Sequence, residues 1–116
     1  MHEDSHNVLI LVRSAPHSAA IQQARRAVQK ARLGFRHEVV VFFHGDAVAE
    51  AASGRIADWT GEEQAGPVRL MVCRAAWQRR FDQAVAPGFE LSSLVQFWQL
   101  AIDADQVLAF GARHGD

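Results

Sequence analysis

Cys73 is the only cysteine of the chain, and its position gives it chemistry. It ends the apolar run Val68-Arg69-Leu70-Met71-Val72 and precedes Arg74-Ala75-Ala76-Trp77-Gln78-Arg79-Arg80, a stretch of helical character. A thiol that ends a buried strand and opens a helix faces unpaired backbone N–H groups and the positive end of the helix dipole, both of which favour the thiolate. The competing assignment is a packing cysteine, because free cysteine is among the most buried residue types and behaves as a small hydrophobe. Such a residue belongs inside a strand, whereas Arg74 follows Cys73 at once and Arg79 and Arg80 come soon after. Residue physics alone leaves both assignments open.

The elements that must position this thiol are legible as four short apolar runs: Val8–Val12, Val39–Phe43, Val68–Cys73 and Gln106–Phe110. They are β-branched or aromatic and unbroken rather than alternating, the pattern of strands buried on both faces of a parallel sheet. Between the first two runs, Pro16 suits a first helical turn, Ile21, Ala24, Val28 and Ala31 keep helical spacing, and Gly34 ends the helix. Before the last run, Ser93 with Gln96 makes a capping-box pattern, and Leu94, Phe97, Trp98 and Ala101 follow at helical spacing. Residues 45–67 read as mixed, with a short helix over Ala47–Ala52, a break at Gly54, a turn over Ile56–Trp59 and an extended entry forced by Gly66-Pro67. The expectation is a single α/β domain over residues 1–116, with residues 1–6 and 112–116 as mobile ends. Its architecture is three layers, α/β/α, around a mostly parallel sheet of four to five strands.

Right-handed crossovers put the carboxyl ends of parallel strands on one edge. That edge gathers Ser14, His17, His44 and Cys73 as a thiol site with polar company. Trp77, one helical turn past Cys73, suits a pocket wall, although core packing is the more ordinary role. Arg74 adds positive charge beside the thiol, and Arg79 and Arg80 suit either docking of an acidic partner or plain solvation. His17 and His44 alone give no metal-ligand spacing, with no His-x-x-x-His or Cys-x-x-Cys in the chain and with His2, His6 and His114 in the predicted tails, so no metal is expected. The glycine patterns of dinucleotide and P-loop sites are absent, so no cofactor is expected.

At 116 residues and 49% hydrophobic, the chain is long enough for one real core and too short for two ordinary domains. A net charge of −1 gives no electrostatic case for direct nucleic-acid or membrane binding. One cysteine forms no internal disulfide, so a reducing compartment fits, and the apolar run Val8–Val12 is shorter than a signal-peptide core. The expected location is the cytoplasm. Three tryptophans in so short a body, Trp59, Trp77 and Trp98, favour self-association or a partner subunit.

Several blocks in order resemble the DsrE/TusD family of sulfur-relay proteins across most of residues 8–111. They are Ser14-Ala15-Pro16 after the first strand, then Gly34-Phe35-Arg36-His37-Glu38-Val39 leading into a strand that ends Phe42-Phe43, and Ala57-Asp58-Trp59 before the third strand. The cysteine segment Val72-Cys73-Arg74-Ala75-Ala76-Trp77-Gln78-Arg79-Arg80 follows, and then Gly88-Phe89-Glu90-Leu91-Ser92-Ser93-Leu94 with the closing strand Ala104–Gly111. The chain departs from the family pattern at two glycines, where Ser18 or Ala19 and Phe81 stand, and in a shortened segment 45–67. The resemblance implies a DsrE-like fold and a sulfurtransferase whose Cys73 carries sulfane sulfur as a persulfide. It further implies sulfur donor and acceptor proteins with reactive cysteines as partners, a homo- or hetero-oligomer, and service in tRNA thiolation or dissimilatory sulfur metabolism. The alternative is a non-catalytic binding or scaffold subunit of the same fold with Cys73 inert.

Overall fold

In a computed structural model of the chain, the described residues are 6–13, 18–32, 37–52, 59 and 68–111. Five strands form one sheet: β1 (His6–Val12), β2 (His37–Phe43), β3 (Val68–Cys73), β4 (Phe89–Ser92) and β5 (Gln106–Phe110). Every pairing is parallel, in the order β4-β3-β2-β1-β5. The predicted α/β fold is therefore the observed one. Among the described residues the sheet is joined by the α-helices α1 (Ala19–Arg32), α2 (Arg74–Arg80) and α3 (Leu94–Asp103), with a 3-10 helix at Gly45–Ala51 where a short helix was expected.

Strands β1, β2 and β3 lie inside the sheet with both faces largely covered, whereas the run of β5, expected to be buried in the same way, is an edge strand with Gln106, Val107 and Ala109 exposed. Val8, Leu9, Ile10 and Val12 of β1 and Val41, Phe42 and Phe43 of β2 are buried. Consecutive strand residues point to opposite faces, and two rings label them. Phe43 meets Trp59 edge-on at 4.9 Å between centroids, while Phe42 meets Phe97 of α3 at 5.0 Å. Trp59 belongs to the α1 side, where its carbonyl accepts from Gln29 Nε2 at 2.8 Å and the Arg25 guanidinium lies 5.3 Å from its ring centroid. Glu50 of the 3-10 helix, although buried, is held on that side by Arg25 at 2.9 Å and by Trp59 Nε1 at 3.0 Å. These bonds offset the desolvation of its carboxylate.

The 3-10 helix also packs on α2, where the Arg80 guanidinium pairs with Asp46 at 3.0 Å. Helices α1 and α2 thus share one face, as right-handed crossovers that step from β1 to β4 in one direction require. The chain then returns across the sheet from β4 to β5, beside β1, with α3 on the opposite face.

Two expectations need correction here, and others fall outside the described residues. His6 is not part of a mobile end: it opens β1 and registers with His37. Strand β4 was not among the four apolar runs, because Phe89-Glu90-Leu91-Ser92 is a four-residue edge strand with polar Glu90 and Ser92 rather than an unbroken apolar stretch. Residues 53–58 and 60–67, including the breaks at Gly54 and Gly66-Pro67, lie outside the described residues, as do Pro16, Gly34 and the ends 1–5 and 112–116.

Candidate functional site

Helix α3 begins as its sequence predicts. The Ser93 hydroxyl accepts from the Gln96 N–H at 3.1 Å, and Gln96 Oε1 accepts from the Ser93 N–H at 3.3 Å, a complete capping box. Gln96 Oε1 also accepts from the hydroxyl of Ser92 at 2.6 Å, which ties the last residue of β4 to the first turn of α3. Ser92 is in register with Cys73.

Cys73 is the last residue of β3 and the N-cap of α2. Extending the registers of β1, β2 and β3 by one residue sets Arg13, His44, Cys73 and Ser92 in one row along the carboxyl edge of the sheet. Backbone bonds continue along this edge, from the His44 N–H to the Val12 carbonyl at 2.9 Å and from the Arg13 N–H to the Phe110 carbonyl at 3.0 Å. With neighbouring strands about 4.8 Å apart, His44 stands one strand from the thiol and Arg13 two. Ser14 and His17 lie outside the described residues.

The site also occupies a special place in the topology. The connection leaving β3 runs through α2 on one face, whereas that leaving the adjacent β4 runs through α3 on the other. Open parallel sheets form their ligand crevices beyond the carboxyl ends of two such strands. Cys73 and Ser92 are the end residues of this pair.

Of the two assignments left open for Cys73, its burial matches the packing one: the residue is 2% exposed and belongs to the core. The reason is local: at φ −60° and ψ 116° the residue keeps an extended backbone, so its side chain continues the inward pattern of β3, and outward exposure starts only at Arg74 and Ala75.

The other candidates divide. Trp77 takes the packing role, buried with its Nε1 donating to the Gln83 carbonyl at 2.8 Å and its ring 4.4 Å from Phe81. Phe81, at one of the departures from the family pattern, is what the Trp77 ring packs on. Arg80 donates to the Ala76 carbonyl and to Asp46, so it staples α2 to the 3-10 helix. Arg74 and Arg79 are exposed on α2.

Arg13 escaped the sequence reading, which stopped at the last apolar beat of β1. It is half-buried, and its Nε is fully buried with no hydrogen-bond partner among the described residues. A buried guanidinium nitrogen with no described partner, in the row of Cys73, is the signal that only the register supplies. Elsewhere, a cavity of about 380 Å³ opens at the opposite edge of the sheet, between Glu38, Arg69 and the end of α3 at Leu100 and Asp103. It has no part in the thiol site. No group of three His, Cys, Asp or Glu among the described residues is placed to hold a metal, and no described helix is long and apolar enough to cross a membrane.

The fold is similar to that in a crystal structure of the YchN protein from E. coli, with a TM-score of 0.74 at 20% identity, over 90% of this chain and 99% of that one. No curated protein matches the chain. The sequence model of the DsrE/DsrF-like family matches residues 6–110, nearly the whole length and every element of the sheet. The chain therefore belongs to the DsrE/DsrF-like family.

Proposed function

We propose that this protein is a cysteine-based sulfur carrier, a sulfurtransferase in which Cys73 takes up sulfane sulfur as a persulfide and passes it to a cysteine of a partner protein. The observation that carries this reading is the place of the lone thiol at the crevice between β3 and β4. Family membership supports the class of chemistry. The Cys73 thiolate attacks the outer sulfur of a donor persulfide, and a new S–S bond forms at Sγ as the donor's own S–S bond breaks. The bond electrons leave with the donor's inner sulfur, which departs as a thiolate and is protonated by solvent. With no second cysteine in the chain to resolve the persulfide internally, the sulfur leaves when an acceptor thiolate attacks it, which regenerates Cys73. His44 and Ser92 flank the thiol in its row, and Arg13, two strands away, adds positive charge to the edge where an anionic perthiolate forms. The pathways that fit are tRNA thiolation and dissimilatory sulfur metabolism, in a reducing compartment such as the cytoplasm.

Burial of Cys73 favours a second reading, a binding subunit in which the thiol is only core. Intact-mass spectrometry separates the two. Exposure of the native protein to a persulfide donor adds about 32 Da, one sulfur atom, reversibly and at Cys73 alone. Wild-type protein that stays unmodified under conditions that load an established carrier leaves the binding-subunit reading.

A further inference from the structure

We infer that the outward face of α3 is an interface with a second copy of this chain, packed helix to antiparallel helix about a two-fold axis at Trp98. The inference does not rest on the chemistry of Cys73. A surface helix ordinarily turns a polar face to water, but α3 buries only Phe97 and exposes Val95 at 66%, Trp98 at 62% and Ile102 at 81%, with Leu94 beside them. Val107 of β5 extends the patch: it registers with Leu9, whose side chain shares the sheet face on which α3 lies, and it too is exposed. These five side chains leave on the order of 500 Å² of apolar surface in water, a large share of the roughly 800 Å² that each partner of a standard interface buries.

Charge selects both the occupant and its direction. No charged residue interrupts α3 before Asp103, and the exposed Gln96 and Gln99 are neutral, so two copies face each other without like charges. Asp103 lies at the carboxyl end of its own helix, where the dipole disfavours an anion, and the first turn of α3 has no acidic residue. Antiparallel self-pairing cures both faults, because each Asp103 then sits at the partner helix's amino end. Symmetry sets Trp98 against Trp98 and Leu94 against Ile102 in an isologous contact.

The test combines mass in solution with cross-linking. Light scattering at micromolar concentration should give at least twice 12.8 kDa. Trp98→Glu, a change at an exposed side chain, should at least halve that mass and weaken association roughly a hundredfold, with unchanged circular dichroism. In a Cys73→Ser background, Trp98→Cys should oxidise to a covalent dimer, whereas Gln23→Cys on exposed α1 should not. A wild-type mass near 12.8 kDa overturns the inference. So does an oligomer that neither responds to Trp98→Glu nor cross-links through position 98, because the second copy, or a different protein, then binds elsewhere.

Discussion

The carboxyl edge around Cys73 and the outer face of α3 lie on the same side of the sheet and invert the usual distribution of groups. At the edge, the one thiol is shut inside the core, next to polar groups that are bonded or buried. On α3, large apolar side chains stand in water over a helix anchored by a single buried ring, Phe97. The contrast teaches that the two regions wait for different things. On the readings proposed above, the apolar face takes a second copy of the chain and the thiol works through a local opening, and the Ser92–Gln96 bond ties α3 to the end of β4 beside Cys73.

The comparison breaks most sharply at Cys73 itself. Cys73→Ser should abolish sulfur loading outright, while its buried hydroxyl costs only about 1–2 kcal/mol in urea denaturation and leaves the fold in place. Phe97→Ala should destabilise by about 3 kcal/mol, because it empties the only buried position of α3, and it should make Cys73 alkylate faster as α3 loosens. Gln96→Ala removes the acceptor shared by Ser92 and Ser93, and should cost about 1 kcal/mol with a several-fold gain in alkylation rate. The smallest effect belongs to the open face. Trp98→Ala, measured in urea at dilutions below association, should change stability by no more than about 0.5 kcal/mol and leave Cys73 labelling unaltered.

Different kinds of information made some of these features legible in sequence and hid others. Strands β1, β2 and β3 showed as apolar runs because their faces are covered, β5 showed because its run is apolar although it lies at an exposed edge, and the capping box of Ser93 and Gln96 showed because its residues are local. Strand β4 did not show, since four residues with Glu90 and Ser92 among them carry too little apolar pattern to read as a strand. The place of Cys73 at a strand end was readable from Arg74 onward, but its burial was not, because the extended backbone at the N-cap is a conformational choice that composition does not encode. Arg13 became visible only through the register of β1 with β2, and the link of Glu50 to Trp59 and Arg25 joins residues distant in sequence.

The central claim is that Cys73 is a working thiol reached by local opening rather than an inert piece of core. It is tested most directly by the rate of Cys73 alkylation in native protein across low urea concentrations. Local opening exposes little surface, so the account predicts measurable labelling in the folded state, at a rate almost independent of urea. Labelling that appears only in proportion to global unfolding, with the full urea dependence of the denaturation curve, would contradict it.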